Sequence, residues 1–421
     1  MERRLAAALA SLAIVLTGCG SQGASDPRQS SGSPRAAGAT SEQSDRLFAL
    51  AGGRILAVDA ATGETTRTIE GAMVTPDWSA IYAVIQRPGS AAVRVSDPAT
   101  GNLIREIAVP AGFDRPALYG SAPDGLSADG QWLVLTAVGR PGATQSRFAI
   151  VDTRAGKADL PITLDGDYAF DAISNDGALL YLVEHPTPDP TRYRVRIYDR
   201  RRGVLVEQVV ADKTVSPPDG LMRGIYATSV AGPHGEWNFS LYFNPAKGPF
   251  VHALNLQAQY AQCILDIPAG SGAAPSRGLW SLAKSPNGAM VYAVNGDLGT
   301  VAAIDTSSVK VVGSATLPGT PAGSDRRISH GAVVSPDGMR LYAVGATGVL
   351  VLNAGDLSVR GRYIADRVVD SVALSADGAR LYALSRDSST LWRVDASTGR
   401  PLGGSPLAGV SALLRVGSSR D

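Results

Sequence analysis

Most of the chain is written in short apolar runs, each closed by a cluster of Gly, Pro, Asp, Asn or Ser, with no sustained helical period. One phrase recurs. Ser335-Pro336-Asp337-Gly338 leads into Leu341-Tyr342-Ala343-Val344, Ser375-Ala376-Asp377-Gly378 into Leu381-Tyr382-Ala383-Leu384, and Ser285-Pro286-Asn287-Gly288 into Val291-Tyr292-Ala293-Val294. Looser copies begin at Thr75, Ser127 and Ser174, and a degraded one is Gly232-Pro233-His234-Gly235. Proline at the first corner, Asp or Asn at the second and glycine in the left-handed position are the chemistry of a tight hairpin turn. The run after it is apolar at every position, so both faces of that strand must be covered.

A second phrase, such as Val58-Asp59-Ala60-Ala61-Thr62-Gly63 or Val394-Asp395-Ala396-Ser397-Thr398-Gly399, follows downstream and predicts another hairpin. Each unit therefore has four strands, A to D, with the first phrase between A and B and the second between C and D. Four-stranded units stacked face to face, without helices between them, predict an all-β propeller. The C–D pairs number eight and the A–B hairpins seven. The mismatch resolves if Arg46–Ala51, an orphan strand B, pairs with Val410–Val416, an orphan strand A, so that both ends of the chain build one blade. This favours eight blades, with seven left open by the irregular first unit.

The phrase Ser-Pro-Asp-Gly-x-x-Leu-Tyr-Ala-Val, followed by Val-x-x-Ile/Leu-Asp-x-x-Thr/Ser, resembles the YVTN-type, WD40-like propellers of bacterial surface and periplasmic proteins over residues 46–416. The resemblance implies a fold and leaves function open, because such scaffolds host many roles. Ala57-Val58-Asp59-Ala60-Ala61-Thr62-Gly63-Glu64 also resembles the repeat of quinoprotein dehydrogenases, but the tryptophan that docks their blades does not recur. Propeller lactonases are a looser likeness.

The N-terminus changes the picture. Arg3 and Arg4 precede an apolar run, Leu5 to Leu16, too short to span a bilayer, and Leu16-Thr17-Gly18-Cys19 resembles the lipobox of bacterial lipoproteins. This predicts a signal peptide over 1–19 with acylation of Cys19, a Ser/Gly/Ala/Pro-rich disordered tether over 20–44, and a single propeller domain over 45–417. The expected location is the cell membrane or envelope, facing outside the cytoplasm, with the lipid as membrane partner. Loss of Arg3, Arg4 and Glu2 with the leader brings 39 basic and 38 acidic residues to 37 of each, a balance that argues against a nucleic-acid partner. Cys263 is then the remaining thiol and lies in an apolar run, as a buried, inert cysteine would.

Candidate chemistry is sparse. His185, His234, His252 and His330 fall in different repeats without metal-ligand spacing, and Asp165-Gly166-Asp167 reads as a polar turn lacking the later glutamate of a calcium loop. No nucleophile elbow, phosphate loop or paired-cysteine site is present, so no catalytic residue, metal or cofactor is expected. The alternating run from Arg192 to Arg196 reads as a blade edge with one solvated face. Arg115, Arg223, Arg277, Arg327 and Arg367 all lie in loops entering strand A, and His330 begins such a strand. If they converge at the channel mouth they form an anion site; Asp114, Asp325, Asp366 and Asp370 are the carboxylates that would instead neutralise them. The functional expectation is a non-enzymatic binding or scaffolding module for a protein, glycan or small anionic ligand. The alternative is a lactonase- or lyase-type enzyme with its site at the channel mouth.

Overall fold

A computed structural model describes residues 45–117, 124–137, 144–210, 220–244, 246–268, 280–318 and 330–417, except the side chains of 262–264. Cys19, the predicted leader and tether, Arg277, Arg327 and the Cys263 thiol lie outside the described residues. The described part is all-β, without an α-helix, and forms eight small sheets of an eight-bladed propeller. Seven follow in chain order, and neighbouring innermost strands touch one another around the ring, as Ser281–Lys284 touches Ala332–Val334 and Ala332–Val334 touches Ser371–Leu374.

The remaining sheet closes the ring. Its strand A is Ala412–Gly417 from the C-terminus, while Arg46–Ala51, Arg54–Asp59 and Thr65–Glu70 supply B, C and D. Arg46 pairs with Gly417 and Leu47 with Val416, which is the closure expected of the two orphan strands. We number this blade 1 and continue along the chain, so that blade 2 begins at Met73 and blade 8 ends at Pro406.

The hairpin phrase forms a closed hydrogen-bond motif. In blade 8, Gly378 N–H donates to the Ser375 carbonyl (2.8 Å), Arg380 N–H to Ser375 Oγ (2.9 Å), Ser375 Oγ to Asp377 Oδ1 (2.6 Å) and Ala379 N–H to the same oxygen (2.9 Å). Gly378 has φ of 71°, a conformation costly for any residue with a Cβ. The second phrase is an Asx turn: Asp395 Oδ1 accepts from the backbone N–H of Ser397 (3.0 Å) and Thr398 (2.9 Å).

Strand B is buried on both faces, as its continuous apolar run requires. Leu341 and Ala343 pack towards blade 6, in one cluster with Tyr292 and Val294, whereas Tyr342 and Val344 pack towards blade 8 with Leu381 and Ala383. The tyrosine of the phrase adds a latch between blades. Tyr181 OH donates to the Leu256 carbonyl (2.9 Å), Tyr292 to Ala354 (3.0 Å) and Tyr342 to Ala396 (2.8 Å), each in the C–D turn of the next blade. At the closure Tyr382 OH donates to Asp45 Oδ2 (2.6 Å), which also receives Arg380 (2.9 Å).

Candidate functional site

The sequence motif fixes the height of each residue on the innermost strands. In blades 6, 7 and 8 the third residue before the serine of the turn is Leu282, Ala332 or Val372. In blades 3, 4 and 5 the equivalent positions are Asp124, Asp171 and Ser229. Three consecutive blades thus carry a polar residue at an offset from the turn where three others carry an apolar one.

Asp171 is the centre of this arc. It is the extra residue of a β-bulge in strand A of blade 4 (Tyr168–Ile173), between Phe170, paired with Leu182, and Ala172, paired with Tyr181. Bulges of this kind re-aim a side chain out of the regular alternation. Across the blade interface stand Asn238 and Ser240, on strand B of blade 5 (Trp237–Asn244), in place of the Leu and Ala of the repeat. Those two positions face the preceding blade, so the substitution pair and the bulge address each other. Ser240 Oγ donates to Asp171 Oδ1 (3.3 Å), Asn238 Nδ2 reaches the same oxygen at 3.5 Å, and Asn238 Nδ2 donates to Ser240 Oγ (3.0 Å). Oδ2 is buried without a hydrogen-bond partner among the described residues. His252, the cross-strand partner of Ser240, is buried on the same face.

Burial dominates the electrostatics. With 6% of its surface exposed, Asp171 has its pKa pushed up to about 7, only partly countered by Ser240. Asp124 is pushed up to about 6 by the protein around it, against the opposing pull of Arg115, although its side chain keeps access to solvent. Tyr226, buried on strand A of blade 5 (Ile225–Ala231), has its hydroxyl 2.9 Å from Ser229 Oγ, and burial, with the charges of both aspartates as lesser causes, raises its pKa. Carboxyls with pKa values near neutrality, next to amide and hydroxyl groups, can exchange hydrogen bonds with a ligand or transfer a proton.

The described arginines are placed differently from one another. Arg115 is near enough to Asp124 for its charge to oppose the rise in that carboxyl's pKa. Arg223 pairs with strand C of blade 4 through Arg192, on the outer side of that sheet, and bridges Asp189 (3.3 Å). Arg367 bridges Asp366 (3.2 Å) and lies over the Trp392 ring, 4.6 Å from its centroid. Each has its own partner, and no contact joins the three among the described residues. Asp370, expected beside them, bridges Arg386 (3.3 Å) instead. His330 precedes strand A of blade 7; its carbonyl accepts from Val372 N–H of blade 8 (3.0 Å), and surrounding protein lowers the pKa of its ring. Arg194 and Arg196 converge on Glu184 (2.6 and 3.0 Å), so these members of the basic run form a half-buried ion cluster within blade 4. Among the described residues no group of three or more His, Cys, Asp or Glu side chains is arranged to hold a metal.

Sequence reasoning overlooked the arc, although its signal was present. Asp124, Asp171 and Ser229 share one offset from the turn, and Trp237-Asn238-Phe239-Ser240 departs from the repeat at the two positions that face blade 4.

Comparison with known proteins supports the fold. No family model matches the chain, and no curated protein does. Two solved structures of AztD from Citrobacter koseri are similar, at 14% and 13% identity, with TM-scores of 0.53 and 0.54; each covers 89% of this chain and 98% of its own. The periplasmic gluconolactonase PpgL of Pseudomonas aeruginosa is 18% identical over 80% of this chain and 98% of its own, with a TM-score of 0.44. Identities this low establish a bacterial propeller fold and leave the YVTN-type likeness resting on the repeat itself.

Proposed function

We propose that this protein is an extracytoplasmic, lipid-anchored binding module whose polar arc takes a hydroxyl-bearing ligand, a glycan or glycan fragment. The observation that carries the reading is the appearance of polar residues at one offset from the A–B turn in three consecutive blades, together with the Asn238 and Ser240 substitutions opposite the Asp171 bulge. Carboxyl, amide and hydroxyl groups side by side both give and accept hydrogen bonds, as ligand hydroxyls require. The location rests on the Leu16-Thr17-Gly18-Cys19 sequence. In this reading the acyl chains of Cys19 are the attachment; no helix among the described residues is long and apolar enough to cross a membrane.

Calorimetric titration with a panel of sugars and peptidoglycan fragments tests the ligand class. Saturable binding abolished by Asp171→Asn or Ser240→Ala supports it, and binding indifferent to both variants opposes it. For the anchor, Cys19→Ala is expected to move the protein from the membrane to the soluble fraction and to remove metabolic labelling by an alkynyl fatty acid.

One observation favours a second reading, a lactonase- or lyase-type enzyme: a carboxyl with a pKa of about 7 is poised to move a proton at neutral pH. Turnover of a sugar lactone that is lost in Asp171→Asn, with folding intact, would select the enzyme over the binder.

A further inference from the structure

A second region departs from the propeller's own pattern, at the interface of blades 2 and 3. In blades 4, 6 and 7 the tyrosine of strand B seals the interface by reaching a backbone carbonyl of the next blade, and in blade 8 it reaches the Asp45 carboxylate. Here Tyr82 faces the hydroxyl of Thr153, the residue at the equivalent point of the C–D turn, which is itself committed to the Gly130 and Gln131 carbonyls (2.9 Å each). A cleft of about 240 Å³ lies between the blades, with Asp77, Asp129, Arg105 and Arg154 among its walls.

Topology sorts these charges. Asp77 and Asp129 stand in the A–B turns of blades 2 and 3, on the axis side, whereas Arg105 is on strand D of blade 2 (Leu103–Val109) and Arg154 in the C–D turn of blade 3, on the rim side. The arginines are only lightly committed. Arg105 has no carboxylate partner among the described residues, and its Nη1 donates to the Arg154 carbonyl at 3.3 Å. Arg154 is 68% exposed and 3.8 Å from Asp129 Oδ2, a long and weak pair.

We propose that this cleft is a binding site for a small zwitterion of the amino-acid type, separate from the polar arc and independent of it. The rim-side guanidiniums take the carboxylate in their planar forks, the axis-side aspartates take the ammonium, and the Tyr82 and Thr153 hydroxyls lie between. The four protein charges cancel, so a simple anion gains little from the net field, whereas a dipolar ligand aligned along the blade gains at both ends. The volume is below the roughly 300–1,000 Å³ of clefts for drug-sized ligands, which fits a molecule of one or two residues.

The test is calorimetric titration of the full-length protein with L-alanine and glycylglycine, beside N-acetyl-alanine, which lacks the ammonium, and alanine methyl ester, which lacks the carboxylate. The expected result is saturable binding of at least one free zwitterion, at least tenfold weaker binding of both blocked compounds, and a tenfold or greater loss in Arg105→Gln. Ile104→Trp, which fills the cleft without altering its charges, should also abolish binding, while Asp171→Asn in the polar arc leaves it unchanged. Absence of binding by both zwitterions, equal binding of either blocked compound, or binding that survives Arg105→Gln and Ile104→Trp would overturn the proposal.

Discussion

Replacing Asp171 by Asn removes a titrating proton while keeping the shape of the side chain and an acceptor for Ser240 and Asn238. The wild-type carboxyl is held neutral by burial, its pKa raised from 3.8 to about 7. Below pH 4 folded and unfolded chains both carry the proton and no penalty arises. Between pH 4 and pH 7 the unfolded chain releases it and the folded chain retains it, so wild-type stability falls as pH rises and then levels off. At about 1.4 kcal/mol for each tenfold change in proton affinity, the raise is worth about 4 kcal/mol across that window. The variant escapes this loss. Relative to wild type, Asp171→Asn should gain progressively from pH 4 to pH 7, up to about 4 kcal/mol, or about 5 °C in Tm for a body of this size. Asp124, which titrates near pH 6, contributes equally to both proteins and cancels in the difference. Differential scanning calorimetry at matched scan rate and half-unit pH steps reads the effect. Parallel Tm profiles from pH 4 to pH 8 would refute the argument and put Asp171 in contact with water or a fixed donor.

Tyr292→Phe should cost about 1–2 kcal/mol in urea unfolding, because it removes the hydroxyl that donates to the Ala354 carbonyl at a buried interface. Tyr82→Phe, whose partner is a side-chain hydroxyl, should cost less. Glu184→Gln should cost about 3 kcal/mol by leaving Arg194 and Arg196 without a compensating charge. The desolvation of Glu184 raises its pKa but is outweighed by hydrogen bonds from both arginines, so the net shift is downward. Its stabilisation is therefore present above the unfolded carboxyl's pKa and lost as pH falls through the lower folded value, whereas the Gln variant should show no such acid-side loss. Deleting residues 410–421 removes strand A of blade 1 and should lower Tm sharply and expose the edge of Arg46–Ala51, detectable as concentration-dependent association by light scattering.

The blades were legible because their physics is local. The Ser-Pro-Asp-Gly turn needs only neighbouring residues to close, and Leu341-Tyr342-Ala343-Val344 can be satisfied only between two covered faces. Ring closure followed from strand arithmetic, since orphan strands at the two ends left one pairing, and Arg46 does pair with Gly417. The polar arc was not legible in the same way. Asp171 acts through a bulge that no local pattern announces, and its partners, Asn238 and Ser240, are more than sixty residues away. Loop position alone grouped the arginines, but a shared loop type spans the full radius of a blade: Arg115 lies with Asp124 near the inner strand, and Arg223 on the outer side of blade 4. Blade radius, not sequence order, separates them.

The most direct test of the binding-module account is to return the arc to the repeat. The triple variant Asp171→Ala, Asn238→Leu, Ser240→Ala gives blades 4 and 5 apolar residues of the kind that blades 6 and 7 carry, and removes the buried Asp171 carboxyl together with its two partners. It should fold with a Tm at least equal to wild type at pH 8, because it replaces a buried, incompletely hydrogen-bonded polar cluster by apolar side chains. In calorimetric titration against the sugar and peptidoglycan panel it should lose the binding that wild type shows by at least a hundredfold. A folded triple variant that binds the same ligand with unchanged affinity would contradict the account.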